Sequence, residues 1–166
     1  MILKMVKFSM ILVSVIILAG CASMMGEKAS PEMRNFKKIV EIPGQSKNAI
    51  YQKANSWFVE TFRSGESVIE YQDKEAGKIM GKYVFSYAEG VYTYDVKQVI
   101  DVAIKNNKVK VEIKKPLIRT ASGLGQSYPN NQYRPLETKA GLNKARDEWN
   151  QLVSSLKGRL NKNEEW

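Results

Sequence analysis

The sequence of 166 residues contains no histidine and a single cysteine. Without histidine the chain lacks the commonest general base and the commonest metal ligand. One cysteine, Cys21, allows no disulfide within the chain. Long apolar runs are missing as well. The run Phe8 to Leu18 has eleven residues, interrupted by Ser9 and Ser14, which is too short for a helix across a hydrocarbon core of ~30 Å. Acid is in the minority: 17 Asp and Glu stand against 26 Lys and Arg, a formal charge of +9. Such a surface favours anionic neighbours, whether lipid headgroups, acidic glycans, acidic proteins or nucleic acid, without choosing among them. The length suits one domain. The 43% of hydrophobic and 26% of charged residues are an ordinary globular balance.

The first twenty residues hold Lys4 and Lys7 and no acid. They read as the positive start and apolar core of a signal peptide. Leu18, Ala19, Gly20 and Cys21 then resemble the bacterial lipobox. The resemblance implies cleavage before Cys21, diacylglycerol on its thiol, and usually a third acyl chain on the new amine. Two or three acyl chains anchor far more firmly than one, at ~0.8 kcal/mol per buried CH₂. That covalent lipid is the expected attachment to the membrane, and no other cofactor is expected. Ala22 follows the cysteine, where aspartate would suggest retention at the inner membrane, so the outer membrane, facing the periplasm, is expected. Residues 1–20 are thus a signal peptide and 21–35 a lipidated flexible tether of small and polar residues. One domain covers 36–160, and 161–166 is a tail.

The domain starts with a strand from Phe36 to Ile42, stopped by Pro43-Gly44. Ser46 is a plausible N-cap for a helix to about Arg63, whose apolar face is Ile50, Ala54, Trp57, Phe58, Thr61 and Phe62. Three hairpins follow. A two-residue turn at Glu89-Gly90 sets Tyr87 against Tyr92, Phe85 against Tyr94 and Tyr83 against Val96. A turn at Asn106-Asn107 sets Ile104 against Val109, Val102 against Val111 and Ile100 against Ile113. Both turns put apolar residues on one side, and a slip of one residue would scramble that pattern. The hairpin Ser67 to Asp73, returning at Lys78 through a three-residue loop closed by Gly77, puts Ile69 and Tyr71 on the same side. Residues 116–135 read as a long irregular connection. A last helix, about Leu136 to Leu160, carries the stripe Leu142, Ala145, Trp149, Leu152, Leu156 and Leu160. The expected fold is α+β: an antiparallel five-stranded sheet in the order β-α-β-β-β-β-α, with both helices on one face.

The segments KIVEIPGQSKNAIYQKANSWF and SVIEYQDKEAGKIMGK resemble a bacterial envelope family, the domain of unknown function 4468, described as having a TATA-binding-protein-like (TBP-like) fold. The resemblance covers about Phe36 to Lys115. It implies the fold and carries no catalytic residues. Nucleic acid is not expected as a partner. A minor-groove saddle needs apolar wedges on its open sheet face, and here that face is predicted to carry Ser86, Thr93, Asp95, Lys97, Asp101 and Glu112.

Several clusters could carry function, and each has a plain structural alternative. Tyr83, Phe85, Tyr94, Trp57 and Trp149 could line a ligand pocket between sheet and helices, or simply pack a core. Arg119, Tyr128, Tyr133 and Arg134, in the loop 116–135, could meet a partner, because long ordered loops often do; the alternative is a structural cover. Lys105, Lys108, Lys110, Lys114, Lys115 and Arg119 could face anionic lipid or glycan, or be a solvated hairpin. Glu70, Asp73 and Glu75 at a hairpin tip would need convergence or desolvation to bind metal or work as acid and base. No nucleophile–base pair is visible. The expectation is a non-enzymatic binding or accessory module for another envelope component. The alternative is a carrier of a small apolar or glycan ligand.

Overall fold

The computed structural model of the chain describes residues 27–62 and 67–162. The lipobox residues Leu18, Ala19, Gly20 and Cys21 lie outside the described residues. After a 3-10 turn at Pro31–Arg34 come β1 (Phe36–Glu41) and α1 (Lys47–Thr61). The strands β2 (Val68–Asp73), β3 (Lys78–Glu89), β4 (Tyr92–Lys105) and β5 (Lys108–Gly123) follow. Two short strands, β6 (Gln126–Ser127) and β7 (Arg134–Pro135), lead to α2 (Lys139–Asn161). All pair antiparallel in one sheet of order β1-β5-β4-β3-β2, with β6 and β7 also on β5. Among the described residues the sheet therefore has seven strands where five were expected, and both helices cover one face of it.

The helices form where the sequence punctuates them. The Ser46 hydroxyl accepts from the Ala49 amide at 3.2 Å, a side-chain N-cap. Below it Ile50, Tyr51, Ala54, Trp57 and Phe58 are buried. Thr138 caps α2 through the Gly141 amide, so that helix begins three residues later than expected, and Leu136 is buried in the approach to it. Leu142, Ala145, Trp149, Leu152, Leu156 and Leu160 are all buried, as their stripe required. Burying each such side chain is worth roughly 1.5–3 kcal/mol.

The Asn106-Asn107 turn has the expected register, with Ile104 opposite Val109 and Ile100 opposite Ile113. Asn107 takes a left-handed φ of 64°, which asparagine tolerates. The Gly90 hairpin is offset by two. Glu89 pairs with Tyr92, so Tyr87 faces Tyr94, Phe85 faces Val96 and Tyr83 faces Gln98. Gly90, with φ 60°, is the first central residue of the turn, where a type II′ turn wants its glycine. A slip of two leaves every side chain on its original face, so the apolar pattern could not detect it.

Three further expectations need correction. The β2–β3 loop has four residues, with Asp73 opposite Lys78. A bulge between Ile69 and Tyr71 aligns them with Gly81 and Met80 respectively. Ile69 and Tyr71 thus part to opposite faces. Residues 116–123 are strand rather than loop. Between the pairs Lys97–Leu117 and Val99–Lys114, Lys115 (φ 53°) and Pro116 oppose Gln98 alone. Proline is tolerated in a sheet at such a bulge because its missing N–H is not asked to pair. Residues 27–35 are docked rather than free. Ala29 is buried, its amide donates to the Glu137 carbonyl at 2.8 Å, and the Lys139 amide donates to the Glu27 carbonyl at 2.8 Å. Arg34 adds an ion pair to Glu137 at 3.3 Å.

Candidate functional site

Among the described residues, the side chains between helices and sheet pack into one buried core. Trp57, Ile100, Val102, Leu152 and Leu156 surround a gap too small for a water molecule. The Trp149 indole N–H donates to Gln98 Oε1 at 3.0 Å, and the Trp57 indole donates to Ser155 Oγ at 3.0 Å. The Gln98 side chain is buried on the sheet, and its Nε2 has no partner among the described residues.

Tyr83, Phe85 and Tyr94 do not gather around the tryptophans. They run outward along the sheet, half-buried, in a row of ring contacts. Phe62 to Tyr83 is 5.5 Å, Tyr83 to Phe85 is 6.4 Å, Phe85 to Tyr87 is 6.4 Å and Tyr87 to Tyr94 is 5.5 Å. The Tyr83 hydroxyl donates to Glu148 on α2 at 2.9 Å. Burial first, and then Glu148, holds the Tyr83 phenol well above the usual range. Burial, then Glu89 and Tyr94, pushes Tyr87 up to about 12. The five residues expected to line a pocket are therefore two core tryptophans and three members of an aromatic strip.

The loop residues divide too. Arg119 reaches Asp95 Oδ2 through Nε at 2.9 Å and Nη2 at 2.8 Å, while Ser86 donates to Oδ1 at 2.7 Å. Arg119 Nη1 also reaches the Pro129 carbonyl at 3.4 Å. Tyr133 lies across this group. Its ring sits 4.8 Å from the Arg119 guanidinium carbon and 3.9 Å from Lys97 Nζ, a double cation–π contact. The turn is further fixed by Asn131 Nδ2 to the Thr120 carbonyl at 3.2 Å. Tyr128 stands apart, with its hydroxyl toward the Gly123 carbonyl at 3.4 Å. Arg134 is exposed on β7. Arg119 and Tyr133 are thus brought together, as a clamp that holds the loop against the sheet, and Tyr128 and Arg134 are not part of it.

The charged clusters disperse in the same way. Lys105 and Lys108 oppose each other at the Asn106-Asn107 turn. Lys110 and Lys114 both pair with Glu112 at 3.3 Å; the two ammonium groups, Lys110 first, hold its carboxyl below the usual range. Asp73 accepts from the Ala76 amide at 2.7 Å in its own turn, which lowers its pKa. Among the described residues no group of acids or thiols converges as a metal site, and no helix is long and apolar enough to cross a membrane.

Sequence reasoning missed what lies exposed. The sheet face away from the helices carries Ile39, Tyr71, Val68 and Val99, exposed at 55%, 44%, 41% and 38%. The bulge in β2 puts Tyr71 there, and only pairing with β3 reveals it. Lys78 pairs with Asp101 on the same face at 3.5 Å.

The sequence profile of a domain of unknown function with a TBP-like fold, DUF4468, matches residues 36–118. The chain belongs to the DUF4468 family. A solved DUF4468 protein from Bacteroides ovatus is similar in fold, with TM-score 0.61 and 18% identity over 86% of this chain and 95% of that one. A TBP-like protein from Parabacteroides distasonis is also similar, with TM-score 0.56 and 11% identity over 74% and 91%. A search of the curated proteins finds no match. For a DUF4468 domain, the β5 extension past residue 118, the clamped loop and α2 lie beyond the matched profile.

Proposed function

We propose that this DUF4468 chain is a lipoprotein of the cell envelope, cut before Cys21 and acylated there, and that it is no enzyme but a docking module for another envelope protein. Its place is the outer membrane, facing the periplasm. The docking surface is the open sheet face, and the observation that carries this reading is its exposed apolar set, Ile39, Val68, Tyr71 and Val99. Apolar side chains interspersed with paired charges on a rigid sheet are the chemistry of a protein contact. The clamp of Asp95, Arg119 and Tyr133 holds the border of that face in shape. Lys78, Lys110 and Lys114 each have an acidic partner, which weighs against a phosphate backbone as the partner. A filled interior weighs against the alternative, a carrier of a small apolar or glycan ligand.

The test is photo-crosslinking in living cells from positions 71 and 99, with position 157 on the exposed side of α2 as control. A discrete adduct from 71 and 99, absent from 157, is the expected result. Background labelling at all three positions would refute the docking face.

A further inference from the structure

The far end of the sheet holds a second exposed apolar group. Leu124, Val91 and Tyr92 are exposed at 69%, 61% and 37%. They sit on two adjacent turns, joined by the Leu124 amide donating to the Val91 carbonyl at 3.4 Å. Leu124 has φ 52° and Gly125 φ 74°. A leucine in the left-handed region is strained, and this one is displayed to solvent instead of packing into the domain. Residues 90–94 and 120–133 contain no charged side chain, and Glu89 stands at the border of the group. The opposite end of the sheet carries Lys47, Lys74, Lys105 and Lys108.

The chain enters the fold beside this half of the sheet. Glu27 and Lys28 pair with Lys139 and Thr138 at the start of α2. A Cβ on Gly141, one turn on, would lie 3.2 Å from the Tyr87 hydroxyl, and Tyr87 is three residues before Gly90. Five residues separate Cys21 from Glu27, so the six steps between them reach at most about 22 Å. A lipid on Cys21 would therefore keep this end of the domain near the bilayer.

We infer that Val91, Tyr92 and Leu124 form a membrane-touching tip that seats in the interface of the bilayer holding the Cys21 lipid. This rests on the lipoprotein reading above. An uncharged tip pays no cost of stripping water from ions, its aliphatic side chains gain from leaving water, and a tyrosine suits the headgroup level. Seating the tip also fixes the orientation of the domain, so the open sheet face stands at a defined angle to the membrane.

The experiment uses the full lipidated protein, in which the Cys21 thiol is blocked by lipid. Leu124→Cys, Val91→Cys and Lys108→Cys are each labelled with a polarity-sensitive fluorophore and reconstituted in phosphatidylethanolamine–phosphatidylglycerol vesicles. Labels at 124 and 91 should shift to the blue and be quenched several-fold more than the label at 108 by a nitroxide lipid. Equal quenching at 124 and 108, in a chain whose mass includes the acyl groups, overturns the tip alone. A blue shift without lipid quenching also overturns it, because a second copy then covers the tip. A mass without acyl groups overturns the lipoprotein reading and the tip with it.

Discussion

The sheet has two halves built on different rules. Under the helices lie Ile79, Ile100, Val102, Val111 and Ile113, all 3% exposed or less. Beyond Gly81 the same strands carry Tyr83, Phe85, Tyr87 and Tyr94, packed against the core but only partly buried. Aliphatic side chains have no polar tip to offer water, so they serve best in the half that the helices enclose. Tyrosines bury a ring and keep a hydroxyl at the rim, so they can finish a sheet that its helices do not fully cover. The lesson is that this fold stores its stability in one half and leaves the other half free for surface properties.

The strongest way to break that contrast is Trp149→Ala. It empties the enclosed half and strands Gln98, and should cost about 3–5 kcal/mol, much of the ~5–15 kcal/mol typical of a domain. Urea unfolding followed by circular dichroism measures it, and a loss below 1 kcal/mol would show that the enclosed half is not the main store. Gly81→Ala acts at the junction. Its Cβ would lie 2.5 Å from Phe62 Cε1 and 3.2 Å from Phe58 Cε1, so overpacking of about 1–3 kcal/mol is expected in the same assay. The aromatic half has its own signature in alkali. An unfolded tyrosine ionises near 10.0, whereas Tyr87 in the fold holds its proton to about 12. Between those values the unfolded chain binds fewer protons than the native one, so stability falls as pH rises. Tyr83→Phe and Tyr87→Phe together should flatten that fall, as read by unfolding at a series of pH values. An unchanged slope would locate the alkaline loss elsewhere. The smallest effect is expected at the tip: Leu124→Asn relieves a left-handed leucine and should stabilise by about 1 kcal/mol, visible as a modest rise in Tm.

Local chemistry made much of the fold legible. Apolar spacing alone marked the buried stripe from Leu142 to Leu160, and the asparagine pair fixed one hairpin to the residue. Where two registers preserve the same faces, as at Gly90, the pattern has nothing with which to choose. Pro116 looked like the end of order, because a proline's tolerance at a bulge depends on what Gln98 does in the neighbouring strand. Lys28 and Ala29 gave no sign of docking, since their partners lie more than a hundred residues away at Glu137 and Thr138. Of the candidate site, Arg119 and Tyr133 were visible as residue types. Their union through Asp95 and Lys97 needed the strands to be aligned first. Tyr71 was assigned to the wrong face because the extra residue at Glu70 announces itself in no local propensity.

That extra residue has a consequence for copies of the chain that meet edge to edge. β2 is a border of the sheet, and a straight border invites backbone pairing with a neighbour. The kink at Glu70 interrupts the run of unpaired amides and carbonyls that such a neighbour would need, so molecules crowded side by side can collide repeatedly without zipping into a fibre.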